Sequence, residues 1–151
     1  MTAATGPTIT VISFGYLHGA PPADAHLTID LRHHFRAPHI SPELRYMTAH
    51  DAPVRAAVMN TPGIKQLLAA TAAAVDGFLA GPSSTSLTIA DGCAGGRHRA
   101  ATFALALQAV LTGDVAGAAE LGVADLAQRY ASRSLTVDLV HRDLAKAVVD
   151  R

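Results

Sequence analysis

The stretch ADGCAGGRHRA, residues 90–100, places the only cysteine of the chain among three glycines and two arginines, directly after an apolar run. Gly92, Gly95 and Gly96 let the backbone approach a ligand closely or take a positive φ. A strand that turns through glycines into a helix gathers free amide N–H groups and the positive end of the helix dipole at one spot. Arg97, His98 and Arg99 surround that spot with cationic or hydrogen-bonding groups. Two arginines in a first helical turn oppose the dipole, so a compensating anion is expected, and phosphate suits such a loop. The alternative is a tight turn flanked by solvated arginines.

Five residues separate Cys93 from Arg99. Cysteine-dependent phosphatases use this spacing: a thiolate attacks phosphorus while the arginine clamps the oxygens. On that reading Cys93 is the nucleophile, Arg99 the clamp, and Asp24 or Asp51 the general acid. Gly95 matches the low-molecular-weight phosphatases, but Ala100 stands where those enzymes carry Ser or Thr, and the loop follows the third strand instead of the first. The preferred reading of Cys93 is a small buried residue that shapes the loop. A P-loop needs Gly-Lys followed by Ser or Thr, and no Gly-Lys pair occurs.

The elements that must position this loop follow from local pattern. TITVISFGY (8–16) is β-branched and apolar and predicts a buried strand; HLTIDLR (26–32) alternates and predicts a second. LHGAPPAD between them is a Gly/Pro connector. Residues 32–48 lack periodicity and form a long loop of the kind that carries function. Residues 52–79 predict two helices broken at NTPG, Pro62 opening the second. SLTIADG (86–92) is the third strand, residues 96–113 a helix stopped by Gly113, residues 114–131 one further short helix, and residues 134–143 the fourth strand. The fold class is α/β: a single domain over 1–151 with a central, mostly parallel sheet of about four strands flanked by helices.

Composition bounds the function. Twelve Lys and Arg balance twelve Asp and Glu, which argues against nucleic-acid binding driven by bulk charge. A lone cysteine forms no internal disulfide, and MTAATGPTIT has no signal-peptide pattern, so the cytoplasm is the expected compartment. No apolar run is long enough for a membrane span. No cofactor is expected.

Five stretches together resemble a known family. FGYLHGAPPADA, DLRHHFRAPH, PELRYMTAHDAPV, LTIADGCAGGRHR and HRDL stand in the order found in the C-terminal domain of RapZ, the YvcJ-type nucleotide-binding proteins, and span most of residues 14–144. The resemblance implies a fold like a sugar-phosphate-binding half of phosphofructokinase, glucosamine-6-phosphate as ligand, and, in enteric bacteria, small-RNA binding and presentation to an endoribonuclease. It also implies a homo-oligomer. The family's N-terminal P-loop domain is missing from this sequence, which reads as a stand-alone domain with a separate P-loop protein as candidate partner. By position, Cys93, Ala94, Gly95, Gly96, Arg97, His98 and Arg99 would hold the phosphate, and Asp30, Arg32, His39 and Arg45 would complete or stabilise the pocket. The chain departs from the family at Ala94 and Ala100, where Thr and Ser are usual. Its end, DLAKAVVDR, has only Lys146 and Arg151 as cations after Arg142, where the family's RNA-binding tail is basic.

Further candidates come from strand ends, where ligands gather in α/β sheets. His18 and Gly19 follow the first strand; His141 and Arg142 end the fourth. Asp30 and Asp91 could orient a basic residue, bind sugar hydroxyls or cap a strand end. Asp143 is expected to cap a last helix, and Arg55 to lie on a solvated helix face. His33, His34 and His39 lack the spacing of a metal site, and none is expected. The sequence therefore points to a non-catalytic sensor or adaptor for a small phosphorylated metabolite, with the phosphatase and an RNA-binding adaptor as alternatives.

Overall fold

The computed structural model describes residues 7–83 and 85–149; the reading of the extreme N-terminus and of Arg151 lies outside the described residues. Four strands, β1 (Thr8–Gly15), β2 (Leu27–Asp30), β3 (Ser86–Cys93) and β4 (Val137–His141), form one parallel sheet in the order β2-β3-β1-β4. Helices flank it: α1 (Ala52–Met59), α2 (Ile64–Ala80), α3 (Arg99–Leu111), α4 (Val115–Glu120) and α5 (Ala124–Gln128). This is the α/β single-sheet architecture expected from the sequence. No described helix is long and apolar enough to cross a membrane.

Alternation along the strands sends one set of side chains to the core. Ile9 and Val11 of β1, Leu87 and Ile89 of β3, and Val137 of β4 pack with Leu68 and Val75 of α2 and Phe103 and Leu107 of α3. Helix α3 is buried nearly all round, and its alanines at 100, 101, 104, 106 and 109 let the sheet and the other helices approach it closely. Its amino end stands directly after the carboxyl end of β3, so five residues, 94–98, make the whole connection.

Several element boundaries differ from the sequence expectation. Helix α3 begins at Arg99, not at 96, because Gly96 takes φ +76 inside the loop. The single helix expected over 114–131 is two, because Gly122 takes φ +75 and interrupts it. Strand β4 is shorter than 134–143 because it pairs only with Ile9–Ser13 of β1, and β2 is shorter than 26–32 because it pairs only with Ile89–Gly92 of β3. Among the described residues no helix follows β4, so Asp143 caps none. Arg55 is half-buried instead of solvated: its Nη1 donates to the carbonyls of Ala49 (2.9 Å) and His50 (2.7 Å), tying α1 to the chain before it.

Candidate functional site

The carboxyl ends of β1 and β3 lie side by side, Gly15 opposite Cys93 in register. A Cβ on Gly15 would come within 2.6 Å of the Gly95 carbonyl oxygen and 2.8 Å of Gly96 N, so β1 and the glycine loop meet backbone to backbone. Asp143, which follows β4, closes the junction. Its buried carboxylate accepts from Gly15 N–H (2.8 Å) and pairs with Arg142 (2.9 Å) and Lys146 (2.6 Å). Burial alone would raise this carboxyl; the hydrogen bonds from Arg142, Gly15 and Lys146 outweigh it and hold the group at about 2.

Within the loop, the buried Cys93 Sγ accepts from the N–H groups of Gly96 (3.3 Å) and Ala100 (3.4 Å), so the sulfur sits at the loop's centre. Arg97 extends across the surface: Nη1 donates to Lys146 O (2.8 Å) and Nη2 to Tyr46 O (2.9 Å). His98, at the start of α3, donates from Nε2 to Met47 O (2.8 Å), and burial lowers its pKa from the usual histidine value. Arg99 is buried and turned towards β2, its Nη1 donating to the carbonyls of Leu31, Arg32 and Phe35, each at 3.0 Å. The loop therefore gathers the stretch after β2 around itself.

Of the sequence-derived site residues, His39, Cys93, Gly95, Arg97, His98 and Arg99 line one small cavity at this edge. Ala37, Val148 and Val149 complete its wall, and none of these three was singled out by the sequence. Ala94 and Gly96 belong to the same loop without lining the cavity. Arg45 lies one step back, donating to His39 O at 3.0 Å and so fixing the loop that carries His39. Asp30 and Arg32 pair with each other at the end of β2 (2.8 Å), and Arg32 lies 3.5 Å over the Tyr16 ring. The hydrogen bond from Arg32 holds the Asp30 carboxyl down at about 2. Arg142 pins the connection after β1 through the carbonyls of Ala20 (2.6 Å), Gly19 (3.3 Å) and Gly15 (3.4 Å); Gly19 takes φ +151 there. His18 lies in the 3-10 turn Tyr16–His18 of that connection, outside the cavity.

A second polar group lies deeper. Asp91 of β3, Ser13 of β1 and His141 of β4 are lateral neighbours in register on the helix-covered face, and Ser13 Oγ is 2.7 Å from His141 Nδ1. Asp91 is fully buried and neither of its oxygens has a hydrogen-bond partner among the described residues; burial drives its carboxyl well above the ordinary value. Burial, with His50 nearby, lowers His141. Among the described residues no group of three or more His, Cys, Asp or Glu is placed to hold a metal ion, and His33 and His34 are exposed.

The fold and the loop define a class: single-sheet parallel α/β domains in which a glycine turn joins a central strand to the amino end of a buried helix. Residues 7–122 match the model of the RapZ C-terminal domain, and the chain belongs to that family. It is 32% identical over 139 residues to a nucleotide-binding protein of Thermobifida fusca, covering 90% of this chain and 40% of that protein. A nucleotide-binding protein of Rhodococcus erythropolis is 36% identical over 141 residues (91% and 40%), and one of Limosilactobacillus fermentum 40% identical over 107 residues (68% and 36%). The chain thus spans about two fifths of the length of these curated relatives.

Proposed function

We propose that this domain binds a small phosphorylated metabolite at the Cys93–Arg99 loop and acts as a non-catalytic sensor or adaptor. The observation that carries this reading is Arg97. Its guanidinium donates to two neutral carbonyls, and among the described residues it forms no ion pair, although it stands beside the positive end of the 13-residue helix α3. An arginine with no ion pair of its own near a helix amino end favours an anion. The amino-sugar phosphate class, with glucosamine-6-phosphate as its example, is the ligand class that the family resemblance suggests. The relatives' name, nucleotide-binding protein, supplies a second phosphorylated ligand class to test at the same loop.

The test is a calorimetric titration with glucosamine-6-phosphate, with glucosamine, inorganic phosphate and a nucleoside monophosphate as comparisons. Saturable binding of the phosphosugar, much weaker for glucosamine and phosphate, is expected. Arg97→Ala should weaken it about tenfold or more, in keeping with ~1.5–3 kcal/mol for a charge-assisted hydrogen bond. Arg97 is the better probe than Arg99, whose removal would also release three backbone carbonyls. Unchanged affinity in Arg97→Ala would overturn the reading.

One observation favours a phosphatase: the Cys93 sulfur receives two amide N–H groups, so an anion seated in the loop would meet it. Neither proposed general acid supports it. Asp51 accepts from Thr48 N (2.9 Å) before α1, Asp24 is exposed in the connection between β1 and β2, and neither lines the cavity. Hydrolysis of a phosphate monoester that is abolished in Cys93→Ser would establish it.

A further inference from the structure

We propose that the pocket between α1, α3 and α4 is a second small-molecule site, for an ω-amino acid: a ligand with a carboxylate at one end, an ammonium at the other and an apolar span between them. This goes beyond the binding reading above and does not rest on it, since no residue lines both this pocket and the glycine-loop cavity.

The pocket has a volume of about 410 Å³, within the ~300–1,000 Å³ of small-molecule sites. Helices α1 and α4 both pack on α3, which supplies Leu105 and Ala109 as an apolar floor; Leu121, just after α4, extends it. The charges stand on either side of that floor. Arg55 of α1 lines one wall, and Asp114 and Glu120, at the two ends of α4, line the other.

Opposite charges around one hollow would ordinarily pair. Here none of the three belongs to an ion pair among the described residues. Backbone contacts hold two of them in place. Arg55 Nη1 is committed to the carbonyls of Ala49 (2.9 Å) and His50 (2.7 Å), which fixes the guanidinium and leaves Nε and Nη2 without an acceptor among the described residues. Asp114 Oδ1 accepts from Gly117 N–H (3.0 Å), which holds the carboxylate against the start of α4. The Glu120 side chain is exposed and has no hydrogen-bond partner among the described residues.

Arginine offers its free N–H groups to a carboxylate as a planar fork, and an ammonium is the complement of two carboxylates. The apolar floor between the walls sets the order of the ligand's parts: charge, methylenes, opposite charge. A molecule with a single charge leaves the facing wall unmatched. An α-amino acid, whose charged groups share one carbon, has no apolar span to lay on the floor.

The test titrates the isotope-labelled full chain with β-alanine, γ-aminobutyrate, δ-aminovalerate and ε-aminocaproate, with glycine, butylamine and butyrate as comparisons, read by calorimetry and by amide shifts. Saturable binding of at least one of the first four, about tenfold or more tighter than any comparison, is expected, with the largest shifts within residues 49–55 and 105–121. The Asp114→Asn/Glu120→Gln double variant, in which Asn keeps the cap of α4, and Arg55→Gln, each with an unchanged circular-dichroism spectrum, should each weaken that binding about tenfold or more. If Arg55→Gln does not fold, the double variant decides. No saturable binding of any of the four overturns the proposal, as does equal affinity for butylamine or butyrate, or unchanged affinity in the double variant. Shifts centred on residues 93–99 assign the ligand to the glycine loop and also overturn it. None of these outcomes depends on whether glucosamine-6-phosphate binds, so the two readings fail separately.

Discussion

Gly15 and Gly96 touch backbone to backbone: a Cβ on Gly96 would lie 2.8 Å from Gly15 N, and one on Gly15 would lie 2.8 Å from Gly96 N. The end of β1 and the glycine loop after β3 are therefore one packed unit, and the requirement for glycine is mutual. Gly96 also takes φ +76, a conformation that side chains resist.

Gly15→Ala should be poorly tolerated, because the atoms that its methyl would strike belong to the backbone and cannot rotate away. Overpacking of this kind costs ~1–3 kcal/mol or more. Urea denaturation followed by circular dichroism would measure it, and a midpoint within error of the unsubstituted protein would contradict the contact.

Arg99→Ala should destabilise by at least about 2 kcal/mol, since a charged donor to three carbonyls is lost and hydrogen bonds to charged groups contribute ~1.5–3 kcal/mol. The loss should be local as well as global. Hydrogen exchange is expected to show the greatest loss of protection over residues 31–36, which Arg99 gathers.

Asp91→Asn tests the buried acid. The folded protein holds the Asp91 proton well above the ordinary carboxylate value of 3.8, whereas the unfolded chain releases it there. Above that value the folded state binds more protons, so this group's contribution to stability falls as pH rises. Asn should make the protein more stable at pH 7, with the gain shrinking as pH falls towards 3. His98 and His141, lowered by burial, act in the opposite direction: their contribution is present above about 6.5 and lost as pH falls below it. They are common to both proteins and cancel in the difference. A constant difference from pH 3 to 7 would show that Asp91 titrates alike in the folded and unfolded chain and contradict the upward shift.

Asp143→Ala removes the carboxylate that joins Gly15 N–H, Arg142 and Lys146. Breaking a fully buried pair costs ~3–5 kcal/mol. Arg142 and Lys146 reach solvent, at 29% and 49% exposure, so about 2 kcal/mol is expected after screening. Because the folded pKa is depressed to about 2, the contribution is complete above the unfolded value of 3.8 and disappears as pH falls towards 2. Thermal melting of both proteins from pH 2 to 7 should show curves that converge at the acid end.

The local elements were legible because their signals are local. β-branched runs marked β1 and β3, NTPG marked the break between α1 and α2, and Gly95 and Gly96 marked the turn into α3; Pro62, expected to open α2, instead lies before the helix, because Gly63 takes φ +94 as its N-cap and α2 begins at Ile64. The loop with Cys93, Arg97, His98 and Arg99 was found from residue types alone, and His39 joins it in the cavity. Helix α3 begins three residues after the start that the pattern predicts, because the sequence shows that a glycine permits positive φ but not whether the chain uses it.

What the tertiary structure decided are the partners. Arg97 and Arg99 bond to the carbonyls of Tyr46, Lys146, Leu31, Arg32 and Phe35, and a carbonyl is a group that every residue carries, so no side-chain pattern announces it. The same holds for Asp143, read from sequence as a helix cap and found instead to bind the end of β1, and for Val148 and Val149, two aliphatic residues whose place in the wall of the same cavity as Cys93 depends on how the chain returns after β4. Sequence determined which residues are candidates for the chemistry and which strand and helix present them. Only the order β2-β3-β1-β4 decided what stands beside them, because neighbours across a parallel sheet are set by crossover connections whose course no local period records.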